Sequence, residues 1–200
     1  MKKLTYVTDS IIKYKEVKER LELNGIEINC FGCEMPGLKI NDITSISKTK
    51  AELAHIITES PVLYSELGLY IESYPKNRNY PGAFLKESGF DKNPQKLLEE
   101  MKGINDRECY FLECLTYFDD GEIKQFYGTT HGSLIEQVKD GQEVSSLSDI
   151  FIPSGSDKTI SEMTKEEKEK YVWYNKRAIK DFIKWYKSKY NEENIQYIKK

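Results

Sequence analysis

Residues 4–21 read LTYVTDSIIKYKEVKERL, and this stretch decides the fold class. Leu4–Thr8 is a short run typical of a buried strand, whereas Ile12–Leu21 has apolar residues at helical spacing among charged ones. Asp9 and Ser10 stand between the two segments, and both residue types cap helix N-termini. The stretch therefore predicts a strand, a tight turn and a helix in direct succession.

The same succession recurs along the chain. A second strand is predicted from Ile26 to Phe31, and a helix over Ile43–Thr58 leads into a buried strand that begins at Pro61. The later segments are a β meander at Glu108–Phe118, Glu122–Gly128 and Ser133–Val138, an apolar run at Ile150–Pro153, and one or two helices within Glu162–Tyr190. Strand-helix units on both sides of a meander predict an α/β fold with a central mixed, twisted sheet and two lobes flanking a cleft. Since neither a linker nor a repeat is visible, we expect a single domain over residues 1–200.

Composition and charge exclude several classes of protein. The chain has 30 Lys/Arg against 33 Asp/Glu, a net charge of −3, and 38% hydrophobic residues, as in ordinary soluble proteins. Residues 160–200 carry 11 basic and 7 acidic side chains, but the acids are interleaved, so we expect no nucleic-acid partner. No apolar run suits a membrane span or a signal peptide, so we expect no membrane association and a cytoplasmic location. A small anionic ligand held by a few lysines fits this charge balance better.

The cysteines do not form a recognisable metal site. Cys30 and Cys33 have the spacing of zinc and redox motifs, but Cys109 and Cys114 are five positions apart and supply no matching second half. We therefore interpret all four as structural or incidental thiols.

Eight short segments carry a resemblance to a known family. They are Val7–Val17, Lys50 with Pro61–Leu63, Gly68-Leu69, Pro81-Gly82-Ala83, Gly128 with Gly132, Ile150–Gly155, Glu162-Met163 and Glu166–Lys168. Their order and spacing resemble the inosine triphosphate pyrophosphatase family, whose members hydrolyse deaminated purine nucleoside triphosphates to the monophosphate and pyrophosphate. The likeness is collinear from about Leu4 to Tyr186, which is the expected core of the domain.

The resemblance implies a triphosphate-binding set of Thr8, Ser10, Lys13, Lys50 and Lys168. The chemistry of these residues agrees, because a strand-to-helix turn offers backbone N–H groups, hydroxyls and the positive end of a helix to phosphate oxygens. Lysines that converge from separate elements are also what a polyanion requires. We therefore expect a nucleotide-binding cleft at this turn.

The acidic residues depart from the family pattern. In the family a pair of acids precedes Gly-Leu, and the second of them is the catalytic acid; here the pair reads Ser65-Glu66. Glu66 is therefore the expected catalytic acid and a weak metal ligand. The family's metal-binding glutamate lines up with Gly37, which has no side chain to offer. Since Mg²⁺ prefers oxygen ligands that include carboxylates, we expect weak metal capture, with any Mg²⁺ carried by the nucleotide.

The residues expected around the purine base are altered too. Ser148 takes the position of a family aspartate, although a shift of one residue would place Asp149 there. The family's Ser-His-Arg segment falls near Tyr174, Asn175 and Arg177, where Arg177 replaces the family arginine and Tyr174 or Asn175 donates the lost hydrogen bond. Tyr174 is equally compatible with a core position on its helix.

The loss of acids with retention of lysines favours a binding protein, because hydrolysis destroys a signal that a receptor has to hold. We therefore expect a catalytically weakened sensor or regulatory subunit for dITP, ITP or a similar nucleotide. The alternative is an active Mg²⁺-dependent nucleoside triphosphate pyrophosphatase. The resemblance extends to nucleotide-sensing subunits of antiphage systems, which implies a homodimer, an effector such as a sirtuin-like NADase, or both. The aromatic-rich segment 179–200 is a candidate docking surface, with at least half of its rings expected to pack internally.

Overall fold

The computed structural model describes residues 3–138, 143–172 and 174–198. In chain order its elements are β1 (Leu4–Val7), α1 (Ile11–Glu22), β2 (Ile28–Phe31), α2 (Ile43–Thr58), β3 (Val62–Ile71), β4 (Tyr80–Gly82), α3 (Leu85–Ser88), α4 (Pro94–Glu100), β5 (Glu108–Asp119), β6 (Glu122–Leu134), β7 (Phe151–Pro153), α5 (Lys165–Tyr171) and α6 (Tyr174–Ile198). Two 3₁₀ turns, Leu147–Asp149 and Ile160–Glu162, flank β7. None of the helices described is both long and apolar enough to cross a bilayer.

The strands form one mixed sheet in the order β2-β1-β3-β5-β6-β7, with β4 added alongside β3. β1 pairs in parallel with β2 and β3, and the remaining pairs are antiparallel. The parallel pairs are reached through α1 and α2, because a parallel partner needs a crossover connection. The α/β class and the mixed central sheet predicted from the sequence are confirmed.

One edge of β3 is shared by two strands that do not meet. β1 pairs with Val62–Tyr64 and β4 with Leu69–Ile71, while β5 pairs with the whole of β3 on its other edge. Positions 65–68 therefore face an opening between β1 and β4. Gly68 lies at the far side of this opening, where a Cβ would stand 2.8 Å from the carbonyl oxygen of Gly82. The residue needs to be glycine because β4 approaches β3 so closely there.

Helices cover the two faces of the sheet differently. On the face that we call the α1 face, one apolar cluster joins Leu63 and Leu115 to α1 and α6. A second cluster on the same face joins Leu69 and Phe111 to α4 and β7. On the opposite α2 face, the buried residues of α2 pack on β1, β3 and β5. The two clusters of the α1 face make two lobes, and the opening on β3 lies between them.

The aromatic rings of α6 belong mainly to the core. Phe182 is fully buried, and with Trp185 and Tyr186 it packs against Tyr117 of β5 and Phe126 of β6. These contacts place three of the rings that the sequence offered as a docking surface against the sheet. The expectation that at least half of these rings pack internally is met for the part of α6 whose side chains are described.

Two boundaries differ from the sequence-based expectation. β2 begins at Ile28 rather than Ile26, and the run predicted from Ser133 is the end of β6 rather than a third strand of a meander. β6 continues because β5 pairs with it without a break, from Asp119 opposite Glu122 to Glu108 opposite Ser133.

The crowding around Gly132 generates a stability prediction. A Cβ at this position would overlap the carbonyl oxygen of Ile152 and stand 2.5 Å from the ring of Phe151. Gly132→Ala should therefore push β7 away from β6 and lower the free energy of unfolding by about 1–3 kcal/mol, the usual cost of overpacking. Urea denaturation measures the change. Gly32→Ala, at a position with no neighbour within 4 Å of the new methyl group, is the control and should stay near wild type; equal stability of both variants would contradict the prediction.

Candidate functional site

A cleft opens beside the middle of β3, between the two lobes. Its walls are the β1–α1 turn, segment 33–35, β3 positions 64–67, the start of α3, and the 3₁₀ turns after β6 and β7. It encloses about 980 Å³ when the space open to solvent is included. Clefts of this size hold small-molecule ligands.

The β1–α1 turn presents Thr8 and Lys13 to the cleft. Ser10 is the N-cap of α1, where its hydroxyl oxygen accepts a hydrogen bond from the Lys13 backbone N–H at 3.3 Å. Thr8 supports the turn, because its hydroxyl oxygen accepts the Ser10 N–H at 3.1 Å. The first turn of α1 thus points a positive helix end and one ammonium group at the cleft. Ser10 shapes this turn and is not itself among the residues that line the cleft.

Glu66 reaches the cleft from the α2 face, where it is paired with Lys50. The Lys50 Nζ lies 2.8 Å from Glu66 Oε2, and both side chains are more than nine-tenths buried. The Tyr64 hydroxyl donates a hydrogen bond to the same carboxylate at 3.4 Å. Burial and the nearby Glu66 charge raise the pKa of Tyr64, so its hydroxyl stays a donor. Lys50 is therefore ion-paired with this carboxylate in the structure, so its charge is shared with Glu66 before any phosphate arrives.

Ser65 faces the opposite side of the sheet and contacts a carboxylate that the sequence analysis did not consider. The Tyr6 hydroxyl donates a hydrogen bond to Ser65 Oγ at 3.3 Å, and Ser65 in turn hydrogen-bonds Glu113 of β5. Glu113 is 7% exposed. No donor among the described residues reaches its Oε2 atom. Glu113 is thus a buried acid at the boundary of the two lobes with half of its carboxylate unsatisfied.

Burial raises the pKa of Glu113 to about 7. The hydrogen bond from Ser65 and the charge of Lys13 act in the opposite direction, while the charge of Glu16 adds to the rise. A detectable signal for this residue was present in the sequence: along β5 it is an acid at an inward position between Phe111 and Leu115, where period-2 alternation predicts an apolar side chain.

Gly37 has a carboxylate beside it, although it has none of its own. A Cβ on Gly37 would lie 3.0 Å from Oε1 of Glu87, which α3 carries to this position. Lys86, next in sequence to Glu87, pairs with Asp9 at 3.6 Å. α3 therefore brings both signs of charge to the mouth of the cleft.

Lys168 lies in a second cavity next to the cleft. Ser148 and Ile160 line both cavities, and the second is also lined by Arg20, Lys165, Lys168, Lys176, Glu16, Glu19 and Glu169. Glu169 pairs with Arg20 at 2.8 Å and with Lys176 at 3.3 Å. Arg20, Lys165 and Lys176 were not predicted, because their proximity depends on α1, α5 and α6 packing together.

The residues expected around the base are placed unequally. Ser148 lines the cleft, whereas Asp149 turns back and accepts the N–H groups of Ser145 and Ser146 at 2.9 and 2.8 Å. Arg177 lies elsewhere: it is exposed, pairs with Asp181 at 2.9 Å and borders a groove beside β6. The structure therefore does not bring Arg177 to the cleft, because its position on α6 places it beside β6. The side chains of Tyr174 and Asn175 lie outside the described part of the structure.

In the part of the chain that the structure describes, the preformed cluster of metal ligands lies away from the cleft. Among the described residues, one group of three His, Cys, Asp or Glu side chains has ligand atoms within 4.8 Å of one another: His55, Asp119 and Asp120, at the β5–β6 turn. At the cleft the available oxygens are more dispersed. Asp91 lines the cleft, and its buried Oδ1 has no hydrogen-bond partner among the described residues. Glu113 Oε2 is likewise unpartnered and lies behind the cleft wall, where the Glu113 carboxylate is hydrogen-bonded by the lining residue Ser65. The oxygen donors around the cleft fit a hard divalent cation such as Mg²⁺.

Comparison with known proteins gives one consistent answer. A family model described as the Ham1 family matches residues 4–185. A dITP/XTP pyrophosphatase of Saccharolobus solfataricus is 31% identical over 189 residues, covering 93% of this chain and 94% of that protein. A dITP/XTP pyrophosphatase of Pyrococcus horikoshii is 32% identical over 190 residues, covering 92% and 97%.

A solved structure agrees in fold. The HAM1 protein of Coxiella burnetii superposes with a TM-score of 0.77 at 18% identity, covering 94% of this chain and all of the other. The family model spans nearly the whole chain, and two relatives above 30% identity align with it almost end to end. The chain therefore belongs to the Ham1 family.

Proposed function

We propose that this protein is a nucleoside triphosphate pyrophosphatase that acts on deaminated purine nucleotides such as dITP, ITP or XTP. The observation that carries the proposal is the juxtaposition, in one cleft, of the α1 N-terminus with Lys13 and the buried carboxylate of Glu66. The names of the relatives support the substrate class, since both are described as dITP/XTP pyrophosphatases. Ser148 and the apolar side chains beside it line the part of the cleft that would take the base.

The turn and the lysines would bind the phosphates. Thr8, Lys13 and the free amides of the first turn of α1 suit phosphate oxygens, and charge-assisted hydrogen bonds of this kind are the strong ones. Lys168 stands in the adjoining cavity, within the same basic surroundings as Lys165. A triphosphate that enters along the opening on β3 would therefore meet positive charge from both lobes.

The reaction needs a general base that accepts a proton from the attacking water. Release of pyrophosphate requires water oxygen to bond to the α-phosphorus while the bond from that phosphorus to the bridging oxygen of the β-phosphate breaks. Glu66 would accept the proton of the water, and the ion pair with Lys50 orients this carboxylate. A bound divalent cation would supply charge neutralisation for the phosphates. Asp9, Glu34, Ser65, Glu66 and Asp91 line the cleft and have side-chain oxygens for such an ion.

A second function is favoured by one observation. Gly37 and Ser65 carry no carboxylate of their own, and Glu66 is ion-paired with Lys50, features that a site which binds the nucleotide without hydrolysing it would also have. A sensor of the same nucleotides would act through a second copy of the chain or through an effector such as a sirtuin-like NADase, as the sequence analysis expected. In that case the bound state has to persist long enough for the partner to respond.

Turnover separates the two functions. Pyrophosphate release from dITP, ITP, XTP, dATP and dGTP should be measured in millimolar Mg²⁺ and in EDTA. Turnover of about 1 s⁻¹ or more with the deaminated purines, on the scale of ordinary enzymes, is expected for the pyrophosphatase. Glu66→Gln should lower it by about 10²–10⁴-fold, the usual loss for a general base. Tight binding with turnover far below this value would favour the sensor, and absence of both binding and turnover would exclude both.

Lys13 should contribute strongly to triphosphate affinity. Lys13→Ala is expected to weaken binding in EDTA by about 1.5–3 kcal/mol, because a hydrogen bond to a charged group is lost. Isothermal titration calorimetry measures the change. Lys15→Ala, which removes the same charge from an exposed position on the same helix, is the control. If both variants weaken binding equally, Lys13 acts only through long-range charge and the predicted contact is wrong.

Removing only one member of the buried Lys50–Glu66 ion pair should destabilise the protein strongly. Lys50→Met leaves the Glu66 carboxylate buried without its counter-ion and should lower the free energy of unfolding by about 3–5 kcal/mol. Combining it with Glu66→Gln removes both charges and should recover most of the loss. Urea denaturation of the two variants tests this coupling, which an additive result would contradict.

A further inference from the structure

Two polar residues of the α1 face, Glu113 and Ser65, lie between the two apolar clusters. Along β5, Leu115 belongs to the cluster under α1 and α6, and Phe111 to the cluster under α4. Glu113 lies between them on the same face, because strand side chains alternate. On β3 the matching interruption is Ser65. The two polar side chains therefore mark the floor of the cleft between the lobes.

The free oxygen of Glu113 indicates a missing partner. Ser65 hydrogen-bonds the carboxylate, yet no described donor reaches Oε2. Buried polar atoms are nearly always hydrogen-bonded, since an unpaired one costs free energy on folding. Ser65 and Lys13 both line the cleft. Glu113 Oε2 thus lies directly behind Ser65 and Lys13, the lining residues that the nucleotide would contact.

The charges around Glu113 change when a triphosphate binds. Lys13 and Glu16 of α1 are the charged side chains whose fields act on it, and Tyr6 of β1 and Ser65 of β3 are neutral. If Lys13 turns to the phosphates, Glu113 loses its cationic neighbour just as a polyanion arrives. A carboxylate and a polyphosphate can remain side by side only if another cation joins them.

We propose that Glu113 is a carboxylate ligand for the divalent cation that accompanies the nucleotide, with the hydroxyl of Ser65 beside it. This inference rests on the proposed nucleotide binding. The acid expected at position 65 of β3 is then supplied from position 113 of β5, the adjacent strand. The direct cross-strand partner of Glu113 is Leu67, and Ser65 lies two residues before Leu67 on β3. Glu113 and Ser65 are therefore diagonal neighbours on the same face, at a separation that a long side chain can span.

The test measures how a metal ion strengthens nucleotide binding, independently of turnover. A non-hydrolysable analogue of ITP with a methylene group between the α- and β-phosphorus atoms is titrated by calorimetry in Mn²⁺ and in EDTA. For the wild type, Mn²⁺ should tighten binding by at least about tenfold, and Glu113→Gln should remove most of this gain while leaving affinity in EDTA unchanged or tighter. Electron paramagnetic resonance of Mn²⁺ in the complex provides a second readout. Glu108→Gln, an exposed acid at the start of the same strand, is the matched control and should behave as wild type.

The decisive experiment moves the carboxylate from position 113 of β5 to position 65 of β3. Ser65→Asp combined with Glu113→Gln should regain the Mn²⁺ effect, which a purely structural role of Glu113 would not explain. Glu113→Asp keeps the charge with a shorter reach and should give an intermediate effect; it also serves if Glu113→Gln does not fold. An undiminished Mn²⁺ effect in Glu113→Gln, or its loss in Asp91→Asn instead, would overturn the assignment of Glu113 alone. If the wild type binds no triphosphate in either condition, the proposed function fails together with this inference.

Discussion

The site depends on one backbone constraint, the unpaired edge of β3 between β1 and β4. β5 fixes the whole of β3 from one side, so positions 65–68 can remain open on the other side without loss of order. Alternation then sends Glu66 to one face and Ser65 to the other. A ligand in this opening meets both faces of the sheet at once. Functional groups on α1, α2 and β5 converge there because each of these elements packs directly on β3 or beside it.

Two buried glutamates lie near the cleft, Glu66 on β3 and Glu113 on the adjacent strand β5, and their surroundings differ. Glu66 has a lysine at 2.8 Å and a tyrosine hydroxyl nearby, so its charge is compensated before any ligand arrives. Glu113 has a serine, a more distant lysine and an opposing glutamate, so its charge is only partly compensated. A compensated carboxylate is suited to hold one geometry, such as the one that orients a water molecule. An uncompensated one is suited to bind a cation, because ligand binding relieves the cost of burying it.

The local parts of the site could be predicted from the sequence, and the convergent parts could not. The turn that carries Thr8, Ser10 and Lys13 was predictable because strand, cap and helix signals are adjacent in the chain, and the family resemblance implied its role in binding phosphate. The pairing of Lys50 with Glu66 depends on α2 crossing the sheet, which no local pattern encodes, so Lys50 was interpreted as a free phosphate-binding cation. Arg177 was expected near the base because it lies close to the position of the family's Ser-His-Arg segment, but the structure places it on the exposed surface of α6. The fold itself was predictable, since strand and helix periods and their order are local signals.

Ser65 and Gly37 show why a site cannot be judged by comparing a sequence with a family pattern one position at a time. Comparing Ser65 and Gly37 with a family pattern counts two carboxylates as lost, and that count favoured a sensor. In three dimensions each of these positions has a carboxylate beside it, from Glu113 and Glu87 respectively. A metal ion responds to the positions of oxygen atoms and not to the strand or helix that carries them. Adjacent strands lie only about 5 Å apart, so a glutamate on one can occupy space reached by an aspartate on the next. A neighbouring strand or helix can therefore supply a carboxylate that one sequence position lacks. The absence of an acid from that position does not by itself argue against hydrolysis.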